Sequence, residues 1–258
     1  MTSFSSSASV SVSRAGAVAT ITVGNGEHLN AMGRAEWRSL GALVTELAAD
    51  ESLSAVVVRG RGGRFSAGSN LNDWNGASAS DVDASFAEIE AALQSVENLP
   101  MPTVAVVEGV AAGGGCQLLL ACDLQLVAHS ARLGMPTAQL GILVPPSFSN
   151  RLTLRIGPSR AKALLFGGEL LSAQEANAIG LVTRVIVDEE LDAELARLLE
   201  RWAAQSSRAL RAAKRAVNLG LAPVEQPARD RVLEEVSDPG EFADRVNGFL
   251  HRKKPSQQ

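Results

Sequence analysis

The chain has 258 residues, 46% of them hydrophobic, and a formal net charge of -4 from 24 basic and 28 acidic side chains. That length suits one domain with an appended subdomain, and the apolar content fills a real core, which excludes a disordered chain. The mixed, mildly acidic charge excludes nucleic acid as a main partner, since phosphate binding needs a basic face.

The N-terminus, Met1 to Ser7, has neither a basic start nor an apolar core and does not read as a signal peptide. Val18–Val23 reads as a strand bounded by Gly24-Asn25-Gly26. An amphipathic helix follows from about Met32 to Ala49, with Trp37, Leu40, Leu43, Val44 and Leu47 on one stripe. Ala55–Gly60 is a continuous apolar run, as a buried parallel strand would be. A loop from Arg61 to Ala79 precedes a helix over Asp81–Asn98, and Thr103–Val107 is strand-like again. Gly113-Gly114-Gly115 opens a short apolar helix ending at Ala121, and Leu124–Ala128 is another strand. Alternating strand and helix indicates an α/β layer architecture. Beyond Pro145 helices dominate, near Ser159–Phe166, Ala173–Ala178, Leu191–Ala204, Ser207–Leu219 and Phe242–Arg252. The shift in composition sets a boundary near residue 200, dividing a core over 1–200 from a helical subdomain over 201–258.

Two apolar runs could suggest a membrane. Gly109–Cys122 is too short to cross one, and Leu133–Asn150 is broken by Pro136, Pro145 and Pro146. Cys116 and Cys122, six apart on a helix, stand roughly 9 Å apart along its axis, too far for a disulfide. A soluble, cytoplasmic protein with reduced thiols is expected. The densest basic cluster, His251-Arg252-Lys253-Lys254, reads as a solvated tail.

Several chemistries fail. There is no Gly-Lys dipeptide and so no phosphate-binding P-loop. The three histidines and two cysteines have no zinc-ligand spacing, so no metal is expected. Ser66 lacks the glycine two residues earlier that a hydrolase nucleophile needs, because Arg64 is there. What holds is a pair of glycine-containing turns, each after an apolar strand. One is Phe65-Ser66-Ala67-Gly68-Ser69-Asn70-Leu71, and the other is Gly109-Val110-Ala111-Ala112-Gly113-Gly114-Gly115-Cys116-Gln117. Small residues let backbone N–H groups approach a ligand oxygen, and the second turn ends at a helix N-terminus, where the dipole favours negative charge. Two such donors make an oxyanion hole.

These segments resemble the crotonase (enoyl-CoA hydratase/isomerase) superfamily. The likeness extends to His28-Leu29-Asn30-Ala31-Met32, Ala121-Cys122-Asp123-Leu124, Gly157 to Leu165, Ser172 to Ala176, Gly180-Leu181-Val182 and Phe249 to Pro255. The resemblance implies an α/β fold, a spiral core of ββα turns with a helical C-terminal region that builds a trimer or a dimer of trimers. It also implies a coenzyme A thioester as substrate, with no tightly bound cofactor. The acyl carbonyl would sit between the N–H of Ser69 and that of Gly114. Backbone around Glu27, His28, Leu29, Ala67, Ser69 and Leu71 would face the adenine and pantetheine.

The likeness breaks where hydratases carry two glutamates. Gln117 and Thr137 hold those positions, and Pro145 holds a third used by some relatives. An amide can orient water but cannot take its proton. Three readings compete: hydratase/isomerase chemistry with displaced or substrate-assisted acid/base groups, other enolate chemistry such as decarboxylation, and non-catalytic binding of a CoA thioester. Asp73 and Trp74 are expected on a solvated loop, and Glu88 and Glu90 on a helix surface. Asp123 is expected as a structural turn residue, Asn30 as an N-cap, and the cysteines as packed core thiols. His28 fits either an adenine contact or an exposed loop.

Overall fold

The computed structural model describes residues 9–230 and 238–251. Arg252-Lys253-Lys254 of the basic cluster lie outside the described residues.

β1 (Val10–Ala15) and β2 (Val18–Val23) form an antiparallel hairpin. β3 (Ala55–Gly60), β4 (Thr103–Val107), β6 (Leu124–Ala128) and β9 (Arg184–Ile186) extend it in parallel, giving the order β1-β2-β3-β4-β6-β9. A smaller sheet holds β5 (Val110–Ala112), β7 (Arg132–Gly134) and β8 (Leu171–Ser172). Successive passes of the chain lay one strand in each sheet, β4 then β5 and β6 then β7, which is the spiral ββα arrangement. Val56, Val57, Val58 and all of β4 are buried, which explains why they read as unbroken apolar runs. The fold class read from the sequence is confirmed.

The first three helices are α1 (Arg34–Ala48), α2 (Ala79–Glu97) and α3 (Gly114–Ala121). The α1 stripe of Trp37, Leu40, Leu43, Val44 and Leu47 is buried as expected. Six more complete the described chain: α4 (Pro146–Ile156), α5 (Pro158–Gly167), α6 (Ala173–Ala178), α7 (Leu191–Ala203), α8 (Ser207–Asp230) and α9 (Pro239–Leu250). The helix expected to stop at Leu219 thus runs on to Asp230 through Pro223 and Pro227. None of the described helices is long and apolar enough to cross a membrane.

Asn30 is not an N-cap. Gly33 caps α1, and Glu36 reaches back to the Gly33 N–H at 3.0 Å. Asn30 is instead fully buried, and its amide donates to the carbonyls of Arg61 (2.9 Å), Arg64 (2.6 Å) and Phe65 (3.3 Å). Its Oδ1 accepts the Gly26 N–H at 2.8 Å. His28, Leu29 and Asn30 all have positive φ, at 44°, 56° and 58°, a strained run of about 1–3 kcal/mol per residue. The Asn30 amide holds that run against the loop after β3. Asn30→Ala would orphan those buried carbonyls and should destabilise the protein by about 1–3 kcal/mol in urea unfolding. Asn30→Asp should cost more than Asn30→Ala, because it faces three carbonyls with a charged acceptor. An aspartate variant as stable as the wild type would refute this account.

Glu88 is not a free surface carboxylate: it joins α2 to α1 by accepting from Arg34 and Arg38, each at 2.8 Å. These guanidiniums hold the Glu88 carboxyl at about 2, below its ordinary value of 4.5. A depressed folded value stabilises above the unfolded pKa, and that gain is lost as pH falls from 4.5 towards 2. Glu88→Gln should therefore flatten the acid limb of stability over that interval, as thermal melts against pH would read.

Candidate active site

Because β3 and β4 are parallel neighbours, the turns that follow them leave the same edge of the sheet, where ligands of parallel sheets bind. Backbone bonds clip the turns together: Ser66 N–H donates to Val110 O at 3.0 Å, and Ala112 N–H donates to Ser66 O at 3.1 Å. The approach leaves no room for side chains. A Cβ on Gly115 would stand 2.1 Å from Ser66 O, and one on Gly68 would stand 2.5 Å from Ala112 O and 2.8 Å from Gly114 N. Gly68 also has φ +94°, a conformation that favours glycine.

Most N–H groups here are spent inside the protein. Ala67 N–H donates to Leu29 O at 2.9 Å and Gly68 N–H to Ser66 Oγ at 3.1 Å. Ser69 N–H and Gly114 N–H have no acceptor among the described residues. Gly114 opens α3, whose first N–H groups have no intrahelical acceptor and carry the positive end of the helix dipole. The Ser69 side chain lies beside it, with Oγ 3.5 Å from the place a Gly114 Cβ would take. Two backbone donors without acceptors thus lie on neighbouring turns.

Glu27, His28 and Leu29 are exposed on the loop before α1, and Ala67, Ser69 and Leu71 are half-buried on the turn after β3. The Ala67–Leu29 hydrogen bond joins the two segments.

Gln117 is fully buried and engaged at both ends. Its oxygen accepts from Arg151 Nη1 at 2.8 Å, and its Nε2 donates to Phe148 O at 3.4 Å and Met135 Sδ at 3.6 Å. Thr137 Oγ1 donates to Met135 O at 3.5 Å, so Met135 lies between the two positions. Pro145 caps α4 and offers no proton-transfer group.

The carboxylates nearby are engaged too. Asp73 accepts the Arg34 N–H at 3.3 Å, at the start of α1. Contrary to its expected surface position, Glu90 bonds Arg151 Nη2 at 3.2 Å and accepts from Ser147 Oγ at 3.1 Å. Arg151 also holds Glu97 at 2.6 Å, and Arg229 joins Glu97 at 3.0 Å. Burial pushes the Glu225 carboxyl up, and Glu97 adds to the effect. Asp123 is structural, as expected, accepting from Thr103 N–H at 2.7 Å and pairing with Lys214 at 2.9 Å. Cys116 and Cys122 are buried free thiols, and burial pushes both up to about 12, so neither is a nucleophile at neutral pH.

The sequence reading missed an aromatic wall. Trp74 is only 5% exposed, not solvated, and its ring centroid lies 5.4 Å from that of Phe86 and 6.2 Å from that of Phe242. Phe148 meets Phe86 edge-on at 5.9 Å. These residues come from four separate segments, so no local pattern could reveal them; an aromatic just after a glycine turn, as Trp74 is, was the one available signal. A cavity of about 1100 Å³ lies away from both turns, lined by residues such as Leu120, Arg155, Lys214 and Leu221.

The sequence profile of the enoyl-CoA hydratase/isomerase family matches residues 13–257. The mitochondrial methylglutaconyl-CoA hydratase of Mus musculus is 34% identical over 197 residues, 74% of this chain and 63% of that protein. The Homo sapiens protein of that name is 34% identical over 189 residues, covering 71% and 56%. The chain therefore spans less than two thirds of the length of these relatives. A crotonyl-CoA hydratase of Syntrophomonas wolfei is 30% identical over 205 residues, 79% of each chain. Among solved structures, an enoyl-CoA hydratase from Mycobacterium avium subsp. paratuberculosis superposes with TM-score 0.85 at 26% identity, covering 96% of this chain and 98% of that one. An enoyl-CoA hydratase/carnithine racemase from Magnetospirillum magneticum gives 0.82 at 28% identity, covering 99% and 97%. With both glycine turns, the spiral sheets and a profile match along nearly all its length, this chain belongs to the enoyl-CoA hydratase/isomerase family.

Proposed function

We propose that the protein binds an acyl-CoA thioester and stabilises its enolate between the N–H groups of Ser69 and Gly114. The observation that supports this reading is the pair of N–H groups without acceptors, carried on two turns that approach too closely for side chains. As the α carbon gains an electron pair, charge moves to the carbonyl oxygen, and pre-oriented donors stabilise it by about 3–4 kcal/mol each. Backbone around Glu27, His28, Leu29, Ala67, Ser69 and Leu71 would line the path of the pantetheine and adenine. Standard two-glutamate hydration has no support in the residues present: Gln117 is held by Arg151 and Phe148, and Thr137 is turned onto Met135. Hydratase/isomerase chemistry here would draw its acid/base group from the substrate or from water.

The lack of a carboxylate at positions 117 and 137 favours a second reading, decarboxylation. There the substrate's own carboxylate leaves as carbon dioxide, and its bonding pair becomes the enolate, so no protein base is needed. For assembly, we propose a homotrimer or dimer of trimers built through the helical region 201–258. Val217, Leu219 and Val224 of α8 support it, being 62%, 63% and 51% exposed. With buried, reduced thiols the protein would work in the cytoplasm.

Calorimetry should find stoichiometric binding of butyryl-CoA or crotonyl-CoA; no binding at millimolar concentration would defeat the proposal. Hydration of crotonyl-CoA should fall below the usual enzyme range of about 1–10³ per second. Turnover within that range would show that the acid/base groups are misassigned. Release of carbon dioxide from a malonyl-type thioester decides the second reading. On whichever thioester turns over, Gly114→Pro should cut the rate by about 10²–10³-fold by deleting one N–H, with circular dichroism confirming the fold. Gln117→Glu should add little hydration, because Arg151, 2.8 Å away, would hold the new carboxylate as an ion pair. Light scattering should give a trimer or hexamer mass, and a monomer at all concentrations would refute the assembly.

A further inference from the structure

α8 lies along the edge of the sheet opposite the glycine turns. Arg211 Nη2 donates to Leu53 O at 2.7 Å and Lys214 Nζ to Met101 O at 3.3 Å, just before β3 and β4 begin. Asn218 Nδ2 adds a bond to Glu97 O at 3.2 Å. These side chains pin the helix at three points, yet none of its residues is buried. Between α8 and the helices α3 and α4 lies the cavity of about 1100 Å³. Small-molecule pockets usually hold about 300–1000 Å³, so there is room for a sizeable ligand.

The wall is mostly apolar, with Leu120 of α3, Leu154 of α4 and Leu221 of α8, but its charged groups are mainly cations. Three of those are matched: Lys214 pairs with Asp123 at 2.9 Å, and Arg151 and Arg229 pair with Glu97 at 2.6 and 3.0 Å. Arg155 has no carboxylate partner among the described residues. It bonds neutral oxygens only, Gln125 Oε1 at 3.4 Å and Leu120 O at 3.3 Å. The side chain is half-buried, and burial pushes its guanidinium below the ordinary value. A cation taken from water without an anion is costly. An anion entering the cavity would offset that cost, and a planar guanidinium matches a carboxylate at two points.

We propose that this cavity binds an anionic amphiphile, a free carboxylate on an extended hydrocarbon chain. The carboxylate pairs with Arg155, and the chain lies between α8 and the leucines of α3 and α4, removing apolar surface from water on both sides. The site stands at the far edge of the sheet from Ser69 and Gly114 and does not depend on the acyl-CoA reading.

Calorimetry with submicellar dodecanoate tests it, with dodecyltrimethylammonium as a control of equal chain length. One dodecanoate should bind per chain, about tenfold or more tightly than the cationic chain. Arg155→Met keeps most of the side chain's length and removes its charge. It should weaken dodecanoate about tenfold or more, with circular dichroism confirming the fold. Saturating butyryl-CoA should leave the dodecanoate affinity within about twofold. No binding of dodecanoate, equal binding of the two amphiphiles, or an undiminished affinity in Arg155→Met overturns the site. The comparison of the two amphiphiles on the wild type stands even where the variant folds poorly. Displacement of dodecanoate by butyryl-CoA would move it to the glycine turns and overturn the site as well. An oligomer that binds no dodecanoate and dissociates in Arg155→Met would assign the cavity to a second copy of the chain instead. A wild type that binds dodecanoate but no butyryl-CoA defeats the acyl-CoA reading and leaves this inference standing.

Discussion

The structure turns on one close contact, the passage of the loop after β3 against the start of α3. Gly115 lies against Ser66 O, and Gly68 lies against Ala112 O and Gly114 N, at separations that admit only hydrogen. Much else serves to hold that contact. The parallel pairing of β3 and β4 delivers both turns to one edge, and the short bridge between Ser66 and Ala111 fixes their register. Asn30 ties the strained His28–Asn30 run to the first turn, and Met32 N–H donates to Gly68 O at 2.7 Å from the far side. A methyl group at either glycine would separate the turns and disperse the donors at Ser69 and Gly114.

Next to this rigid backbone stands a side-chain network that explains why glutamine suits position 117. Arg151 is shared among Glu90, Glu97 and Gln117, and it sits over the Phe148 ring, 5.9 Å from its centroid. Gln117 must accept from that guanidinium and donate to Phe148 O. An amide does both at once. A carboxylate offers only acceptors and would set a lone pair against the Phe148 carbonyl, a buried mismatch of about 1–3 kcal/mol. The charges of Glu90 and Glu97 are thereby committed to helix packing, which ties α2 to α4 and α8.

What the sequence made legible follows from how local each signal is. The strands β2, β3, β4 and β6 emerge at the bounds read from the sequence; in β3 and β4 burial on both faces writes itself as an apolar run, while β2 alternates buried and half-buried residues between turn residues. The glycine turns were legible since their constraint is local and steric. β1 was not: Val10–Ala15 alternates polar and apolar residues and is half-exposed at the sheet edge. α4 was hidden by Pro145-Pro146, which reads as a break, although proline is well placed at the first turn of a helix. The misreading of Asn30 had a similar root, since a polar residue just before a helix looks like a cap until its three distant carbonyl partners are seen. Glu90, Arg151 and the aromatic wall depend on contacts between separate elements, for which periodicity carries no information.

The division between backbone and side chains bears on how such a site can diverge. Donors at Ser69 and Gly114 belong to the main chain, so replacing glutamates at positions 117 and 137 leaves them untouched. What the main chain offers is therefore separable from what the side chains offer: one is fixed by glycines and strand register, the other by a few substitutable residues. In this chain position 117 carries a glutamine held under Arg151, and Thr137 is bonded to Met135 O. Trp37 packs against the preserved part, its Cζ2 within 2.9 Å of the place a Gly114 Cβ would occupy. Changes at positions 117 and 137 can therefore alter what the side chains offer without moving the turns that Gly68 and Gly115 hold together.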